Sequence, residues 1–400
     1  MKNVLLIGSE LGKGGAERSI SLLSYYLEQY GYNVTLCILS GTDREKFYKT
    51  CKNVVFIDPP AHSGVIGKIK AWRYRIQRLK RLKKETNADV SISFLEGPDY
   101  VNVLTKGKEK VVLSIRGSKM HDKVISGTMG AIRKKILIPR FYSKADEIVC
   151  VTNALTDELH LHFGIDRKKL TTINNFYETD TIINQSLEKL SPDEETIFTK
   201  PVIISSGRLH IGKEYDKLIQ IFKQVKEKSE SRLIILGDGE IKQQIISICN
   251  SIGLKICDWQ SGDRSNADVY LMGFQHNAFK FYKHSTLFAL TSSWEGFPNV
   301  LAEALICGIP VVSTDCPTGP REILNIPNLH TEPINYHVNT PVGSLLPMVN
   351  VLTIETQKMW VNSIVDWLQK PTPSNSEFEK LTKRFTLDAM LQQWVNVIEG

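Results

Sequence analysis

The feature that most constrains the fold is a series of short, continuously apolar segments separated by stretches with helical periodicity. Such segments are apolar on both faces, which is typical of parallel strands covered by helices on either side. The first series comprises residues 4–7, 34–39, 54–57, 90–95, 111–115, 148–151 and 170–173, and the second comprises residues 202–205, 233–236, 269–272, 287–290 and 311–314. The sequence therefore predicts two doubly wound α/β domains.

A polar, acid-rich stretch separates the two series. Residues 179–200 include Ser191, Pro192 and Asp193 and predict a linker or a surface excursion. We therefore place the first domain at residues 1–178 and the second at residues 179–384. A final segment, residues 377–398, has apolar positions at helical spacing and predicts one closing helix.

The composition is that of an ordinary globular protein. The chain is 42% hydrophobic and 23% charged, and no apolar run approaches the length of a membrane-spanning helix. Seven cysteines form no Cys-x-x-Cys pair and no His/Cys ligand spacing, so buried, reduced thiols in a cytosolic protein are expected. The apolar start ends at Gly8, which favours a first buried strand over a signal peptide.

The residues that follow each predicted strand are the functional candidates, because open α/β sheets bind ligands beyond the carboxyl ends of their strands. After the first strand, Gly14 and Gly15 precede Glu17 and begin a helix. This run is neither a P-loop nor a Gly-x-Gly-x-x-Gly motif. Its bare N–H groups suit an anion, and a tight turn without a ligand is an equal alternative.

Two cations follow the strand at residues 202–205. Arg208 and Lys213 come after Gly207. Arg offers a bidentate fork and Lys a point charge, which together suit a diphosphate. The alternative is a pair of solvated surface cations, but the position after a strand favours a binding role.

The most distinctive stretch follows the strand at residues 287–290. Glu295 lies in a loop, Pro298 is placed at the first helical position, and Glu303 lies about one turn further on. Both carboxylates can then face one ligand around the helix N-terminus, where free N–H groups can contact phosphate oxygens.

These residues resemble the signature of glycosyltransferase family 4, in which Glu295-x7-Glu303 encloses a Gly-Phe-Pro-Asn tetrapeptide. The resemblance covers nearly the whole chain, through residues 14–17, 207–213, 237–239, 273–274, 308–312 and 314–320 and the terminal segment that includes Arg384. It implies retaining stereochemistry and the GT-B fold, with two Rossmann-like domains facing a cleft. It also implies that a C-terminal helix, residues 385–400, crosses back to complete the first domain.

The resemblance implies roles for individual residues. Glu295 would bond hydroxyls of the transferred sugar and Glu303 those of the ribose, while Arg208 and Lys213 would neutralise the diphosphate. Arg208, Lys213 and Glu295 are therefore the catalytic candidates. The donor-binding positions are Gly14, Gly15, Gly207, Gly273, Phe274, Gly296, Phe297, Pro298, Asn299, Val300, Leu301 and Glu303.

Two departures from the family pattern bear on the site. Lys213 is followed by Glu214, where a glycine is usual. The strand at residues 111–115 runs into Arg116, where many relatives have a His, and the nearest His is His121. Arg116 is predicted on the acceptor or sugar side together with Glu17. For His121, a loop position without a role is the favoured interpretation.

The predicted activity is transfer of a hexose or N-acetylhexosamine from a nucleotide-sugar, with uridine diphosphate as the best candidate. The acceptor would be a lipid-linked glycan in the synthesis of capsule, O-antigen or a related surface polysaccharide. No Asp-x-Asp motif is present, so no metal or other cofactor is expected, and fixed charges would replace the divalent ion. Two alternatives remain open: a nucleotide-sugar epimerase of the same architecture, and a sugar-nucleotide-binding protein without catalysis.

Residues 68–84 contain nine basic residues and no acidic one. Ile69, Trp72, Ile76 and Leu79 have helical spacing and predict an amphipathic helix with a basic outer face. The apolar stripe either docks on the domain or, beside the cations, contacts an anionic membrane surface. Nucleic acid is disfavoured because no binding module accompanies the charge. The predicted location is the cytoplasm, or the inner face of the cell membrane as a peripheral protein.

Overall fold

Parallel strands alternate with helices along both halves of the chain. The structure is a computed structural model that describes residues 1–12, 14–40, 47–60, 64–121, 127–326 and 332–400, apart from the side chain of Met129. Lys13, in the glycine-rich motif, lies outside the described residues. The chain divides into a first unit, Met1–Phe176 with Asp388–Gly400, and a second unit, Tyr177–Leu387.

In the first unit, the described strands form one fully parallel sheet. These strands are β1 (Asn3–Gly8), β2 (Asn33–Ile38), β3 (Asn53–Phe56), β4 (Val90–Phe94), β5 (Lys110–Ile115), β6 (Glu147–Cys150) and β7 (Leu170–Thr172). Their order is β3-β2-β1-β4-β5-β6-β7. The helices are α1 (Gly15–Tyr30), α2 (Gly64–Glu85), α3 (Glu96–Leu104), α4 (Gly127–Ile132), α5 (Ile138–Tyr142) and α6 (Asn153–Phe163), and a π-helical segment, Arg133–Leu137, joins α4 to α5.

Helices cover both faces of this sheet. Leu5 and Ile7 of β1 pack with Leu79 of α2 on one face. Gly8 points to the other face, where a Cβ atom would lie 3.1 Å from Cδ1 of Ile20 in α1. These strands are therefore apolar on both faces because helices cover the sheet on both sides, as the sequence predicts.

The second unit contains a larger sheet and most of the remaining helices. Its described strands are β8 (Val202–Ser206), β9 (Arg232–Leu236), β10 (Ile256–Asp258), β11 (Val269–Gly273), β12 (Leu287–Leu290), β13 (Val311–Thr314), β14 (Val338–Thr340) and β15 (Gly343–Leu346). Their order is β10-β11-β9-β8-β12-β13-β15-β14, and among them β14 pairs antiparallel with β15. The helices are α7 (Thr179–Ser186), α8 (Pro192–Ile197), α9 (Tyr215–Lys228), α10 (Lys242–Ser251), α11 (Phe279–His284), α12 (Asn299–Ile306), α13 (Pro320–Ile323), α14 (Ile354–Gln369), α15 (Asn375–Thr382) and, returning to the first unit, α16 (Leu387–Glu399).

The core of the second unit lies on both sides of its sheet. Leu287 of β12 shares one hydrophobic cluster with α9, α10 and α14, including the fully buried Trp360. The Nε1–H group of Trp360 donates to the carbonyl of Pro347 at 2.9 Å. Phe288, the next residue of β12, faces the opposite side and meets the ring of Tyr282 in α11 at 5.5 Å.

The sequence predicts a linker or a surface excursion at residues 179–200. The linker alternative is wrong, because this stretch belongs to the second unit and forms α7 and α8. Helix α8 begins with a capping box, in which the Ser191 hydroxyl accepts from the N–H of Glu194 and the Glu194 carboxylate accepts from the N–H of Ser191. Acidic residues in the first turn of α8 also favour the helix, since they interact with the positive end of its dipole. The acid-rich composition thus marks a helix N-terminus.

The single closing helix predicted at residues 377–398 is interrupted. Helix α15 ends at Thr382, a 3-10 turn covers Lys383–Phe385, and α16 follows. The ring of Phe385 is fully buried, and the guanidinium of Arg384 donates to the carbonyl of Ile323 at 2.8 Å. These contacts anchor the turn and prevent one continuous helix. Strands β10, β14 and β15 were not predicted, because they are short and carry polar residues.

The C-terminal helix α16 packs in the first unit, as the family resemblance implies. The ring of Trp394 stacks on Phe94 at 6.2 Å between centroids. The ammonium group of Lys110 donates to the carbonyl of Val397 at 2.8 Å, and that of Lys2 to the carbonyl of Ile398 at 2.7 Å. Among the described helices, none has the length and apolarity needed to cross a membrane.

We predict that Trp360→Ala destabilises the protein by about 3–5 kcal/mol, because it leaves a large cavity and an unpaired carbonyl at Pro347. Val351→Ala is the matched control: Val351 is 70% exposed, so its free energy of unfolding should change by less than about 0.5 kcal/mol. Urea denaturation followed by circular dichroism measures both. A loss below about 1 kcal/mol for Trp360→Ala would contradict the packing described for α14.

Candidate functional site

The carboxyl ends of four neighbouring strands, β11, β9, β8 and β12, lie side by side in the second unit. The N–H of Gly207 donates to the carbonyl of Leu236 at 3.0 Å, and the N–H of Gly237 donates to the carbonyl of Gly273 at 2.8 Å. A Cβ atom at Gly237, where φ is +130°, would overlap the carbonyl of Gly207. Glycine is therefore required for this close approach. We call this row of strand ends the strand-end platform.

Lys213 and Glu295 meet on this platform. The ammonium group of Lys213 lies 2.6 Å from Oε1 of Glu295, and the two side chains are 21% and 14% exposed. The backbone around them is also joined: the hydroxyl of Thr291 donates to the carbonyl of Lys213 at 2.8 Å, and the N–H of Ser293 donates to the carbonyl of Gly212 at 2.9 Å. The structure thus brings together two of the three catalytic candidates.

Arg208 has a different environment. Its side chain is 74% exposed, and its guanidinium lies 3.4 Å from Oε2 of Glu240. The same carboxylate lies 3.7 Å from Nε2 of His210. A backbone hydrogen bond at Glu240 itself and the positive charge of Arg208 hold the pKa of Glu240 below its ordinary value. This contact of Glu240 is one that the sequence motifs do not predict.

The N-terminus of helix α12 begins one residue later than predicted. Pro298 has an extended backbone and occupies the N-cap position, and Asn299 is the first helical residue. The first turn of a helix directs its leading N–H groups away from the helix body, and Val300 lies in this turn. The N–H of Leu301 donates to the carbonyl of Pro298 at 3.0 Å. The first turn of α12 is therefore the part of this helix that is best placed to contact an anion.

Several predicted donor-binding residues hold the loop before α12 through their side chains. Phe297 is 6% exposed and packs edge-on against the ring of Phe385 at 5.5 Å. Oδ1 of Asn299 accepts from the hydroxyl of Tyr177 at 2.7 Å. The hydroxyl of Thr318 donates to the carbonyl of Glu295, the residue that precedes Gly296. Their chemical contribution to a ligand would thus come from the backbone.

Glu303 and the pair Gly273–Phe274 complete the candidates of the second unit. Glu303 is half-buried one turn into α12. Gly273 ends β11 with φ +70°, and a Cβ atom there would overlap the side chain of Gln260. Phe274 is 43% exposed and meets the ring of His276 at 5.3 Å. An exposed aromatic ring at the end of β11 suits a planar base.

The candidates of the first unit lie at the carboxyl ends of its strands. Gly14 is the N-cap residue of α1, and Gly15 is its first residue. Burial raises the pKa of Glu17, although a backbone hydrogen bond of the same residue opposes the shift, and the charge of Glu10 adds to it. His121 is exposed, and its backbone N–H donates to the hydroxyl of Ser118 at 2.9 Å.

Arg116 is held by neutral groups that the sequence motifs do not predict. Its guanidinium donates to the hydroxyl of Ser19 at 3.0 Å and to Oδ1 of Asn175, and it lies 5.5 Å from the ring of Phe94. These residues line a cavity of about 10 Å³, which has room for about one water molecule. The cluster holds Arg116 at the end of β5.

Helix α2 is docked by only half of its length. Leu79 is fully buried, and Ile76 packs beside it, as the predicted stripe requires. The other two residues of that stripe do not dock, because Ile69 is 55% and Trp72 is 38% exposed. Among the nine basic residues, Lys83 is buried and pairs with Glu109 at 2.7 Å. The first half of α2 is therefore an exposed surface, both apolar and basic.

The described residues contain no group of three or more His, Cys, Asp or Glu side chains arranged to hold a metal ion. All seven cysteines are free and buried.

Comparison with known proteins decides the family. The model described as Glycosyltransferase Family 4 matches residues 13–181, and the model described as Glycosyl transferases group 1 matches residues 188–326. This chain contains a glycosyltransferase family 4 domain and a glycosyl transferases group 1 domain. A family 4 enzyme with two Rossmann-like units has the GT-B fold, and the sheets described above are of that kind.

Relatives of this family 4 chain come from bacteria and archaea. An uncharacterized glycosyltransferase of Methanocaldococcus jannaschii is 34% identical over 275 residues, which is 65% of each chain. The N-acetylgalactosamine-N,N'-diacetylbacillosaminyl-diphospho-undecaprenol 4-alpha-N-acetylgalactosaminyltransferase of Campylobacter jejuni is 26% identical over 318 residues, 78% of this chain and 80% of that relative. The structure of Anabaena HepE in complex with UDP and glucose superimposes with a TM-score of 0.71 and 16% identity over 100% of both chains, which shows the shared fold.

Gly212→Ala tests the packing of Gly212 against Trp294, the residues that precede Lys213 and Glu295. A Cβ atom at Gly212 would overlap the indole ring of Trp294, so we predict a loss of about 1–3 kcal/mol in the free energy of unfolding. In a Trp294→Ala background the ring is gone, and the same substitution should cost less than about 0.5 kcal/mol. Urea unfolding of the wild type, the two single variants and the double variant gives both values. Equal costs in the two backgrounds would show that the backbone, and not the ring, demands glycine.

Proposed function

We propose that the chain is a retaining glycosyltransferase that takes a hexose or N-acetylhexosamine from a UDP-linked donor bound at the strand-end platform of the second unit. The observation that carries the proposal is the contact of Lys213 with Glu295 at 2.6 Å beside Gly207. The platform then places a cation that suits a diphosphate next to a carboxylate that suits sugar hydroxyls. Retention is supported by the family 4 motif around Glu295 and Glu303.

The leaving diphosphate would be stabilised by fixed groups. Lys213 supplies one positive charge, and the first N–H groups of α12, at Asn299 and Val300, point a helix dipole towards the anion. Arg208, whose side chain is 74% exposed, would leave Glu240 and add a bidentate contact. Because these groups can neutralise the leaving group and the sequence has no Asp-x-Asp motif, we propose that turnover needs no metal ion.

The transfer would proceed on one face of the sugar. The glycosidic bond to the diphosphate breaks as the acceptor oxygen bonds to the same carbon, through a transition state with oxocarbenium character. The departing phosphate oxygen accepts the proton of the acceptor hydroxyl. Glu295 would hold hydroxyls of the sugar, and Glu303 those of the ribose, while Phe274 at the end of β11 would contact the base. The proposed roles of Gly14 and Gly15 at the diphosphate, and of Glu17 and Arg116 at the acceptor, remain predictions.

The acceptor we propose is a lipid-linked glycan in the synthesis of a surface polysaccharide. Support comes from the Campylobacter jejuni relative, whose name specifies a diphospho-undecaprenol acceptor. An amylovoran biosynthesis glycosyltransferase of Erwinia amylovora, 25% identical over 333 residues, supports a role in polysaccharide synthesis. The exposed first half of α2 supports the same assignment, because lipid-linked acceptors reside at a membrane.

Substitutions on the platform test the donor site. Lys213→Ala and Glu295→Ala should each lower kcat/KM for the donor by about 10²–10³-fold, because each removes a group that stabilises the transition state. Arg208→Ala should also lower it. Lys228→Ala, at the exposed end of α9, removes the same charge and should leave kinetics unchanged.

The measurement is donor turnover across a panel of nucleotide-sugars, with lipid-linked glycan as acceptor and with chelator present. Wild-type rates for both Lys213→Ala and Glu295→Ala would refute the donor-site assignment. Conversion of the donor to its epimer without any acceptor would identify an epimerase, and binding of the donor without any product would identify a protein that lacks catalysis.

We propose that the exposed first half of α2 attaches the protein to the cytoplasmic face of the membrane. Val65, Ile66 and Ile69 are 75%, 71% and 55% exposed, and Lys68 and Lys70 flank Ile69 on either side. Apolar side chains that insert beside basic ones bind anionic bilayers. The boundaries of this surface differ from the predicted segment 68–84, because the second half of α2 is docked.

A variant in which Val65, Ile66 and Ile69 are all replaced by serine should bind phosphatidylserine vesicles about tenfold or more weakly in co-sedimentation. The reason is that the apolar side chains no longer insert into the bilayer. Serine at Val351 and Ile354, which are 70% and 73% exposed in the second unit, is the matched control and should bind as wild type does. Binding of the wild type should also fall as salt rises. Absence of wild-type binding at low salt would contradict the assignment.

A further inference from the structure

Glu214 has a backbone conformation that is unfavourable for its residue type. It lies between Lys213 and the first residue of α9, with φ 52° and ψ 38°, in the left-handed region. Residues with a Cβ atom rarely adopt this conformation, and it persists only where the surroundings hold it. As the N-cap residue of α9, its side chain makes no capping hydrogen bond. The carboxylate is therefore directed elsewhere.

That carboxylate bonds to the neighbouring loop. The hydroxyl of Ser293 donates to Oε1 of Glu214. Ser293 is 7% exposed, so this hydrogen bond is largely shielded from water. Ser293 stands two residues before Glu295, while Glu214 follows Lys213 directly. The side chain of Glu214 thus connects the segment that carries the ammonium group to the segment that carries its carboxylate partner.

We propose that Glu214 is a positioning residue: it retains a strained backbone so that its carboxylate can hold Ser293, and through Ser293 keep Glu295 on Lys213. Glycine at this position would relax the backbone but remove the connection. The importance of this role for turnover rests on the proposed donor site, whereas the geometric role does not. A simpler explanation is that the negative charge of Glu214 interacts favourably with the N-terminus of α9. That explanation predicts different effects of the substitutions described next.

Three variants separate these explanations. Glu214→Gly removes the acceptor and the strain. Glu214→Gln keeps an acceptor oxygen but removes the charge. Ser293→Ala removes the donor. Asn87→Gly is the control for backbone relaxation, because Asn87 has φ 45° and lies in an exposed turn of the first unit.

We expect Glu214→Gly and Ser293→Ala each to lower kcat/KM for the donor about tenfold, since a small misplacement of Glu295 weakens the transition state. The double variant should be no worse than either single one, because both remove the same hydrogen bond. Glu214→Gln should remain within about twofold of wild type. The Tm of Glu214→Gly should equal or exceed that of wild type, whereas Asn87→Gly should leave the kinetics unchanged.

The geometric role is measured separately from turnover. The coupling between Lys213→Ala and Glu295→Ala in urea unfolding is determined by a double-mutant cycle in the wild-type and Glu214→Gly backgrounds. The proposal predicts that the coupling falls in the Glu214→Gly background, and it predicts this even if Lys213→Ala proves fully active and the donor-site assignment fails.

Three results would overturn the proposal. One is unchanged coupling in the Glu214→Gly background. Another is equal loss of activity in Glu214→Gln and Glu214→Gly, which would indicate a role of the charge. The last is a fall in Tm that accompanies the loss of activity in Glu214→Gly, which would indicate a purely structural role.

Discussion

The hydrogen-bond register of four parallel strands determines where the chemistry of the second unit can occur. Leu236 of β9 pairs with Ser206 of β8 and with Gly273 of β11, so these strands end at one level. Strand β12 pairs with β8 on the other side. The candidate residues are therefore neighbours in space although they lie far apart along the chain. A slip of one residue in any strand would turn its side chains to the opposite face and move its terminal loop.

Much of this arrangement follows from the sequence. Strands such as β8 and β9 are apolar on both faces, and only a sheet covered on both sides accommodates them. Because the carboxyl ends of parallel strands share one edge, Lys213 and Glu295 could each be placed at that edge. Their direct contact could not be predicted, since long side chains adopt rotamers that depend on all their neighbours. The same holds for Arg208 with Glu240 and for Glu214 with Ser293.

The errors in the predicted elements have related physical causes. Acidic residues at 193–195 suggested a loop, yet at a helix N-terminus such charges are stabilising. Strand β14 is three residues long and pairs at the edge of its sheet, where polar residues are tolerated, so its sequence has little apolar signal. The turn before α16 depends on contacts of Arg384 with carbonyls about sixty residues away in sequence. Local periodicity contains no information about such contacts.

Helix α16 has a consequence for how the protein is made. Phe94 can pack against Trp394 only after three hundred further residues have been synthesised, because that many positions separate the two rings. While it emerges from the ribosome, the first unit has an apolar surface at β4 that no later segment yet covers. The second unit, Tyr177–Leu387, is one continuous stretch of sequence, and all of its described strands precede α16. Translation therefore favours an order in which the second unit folds to completion before the first, although the first begins earlier.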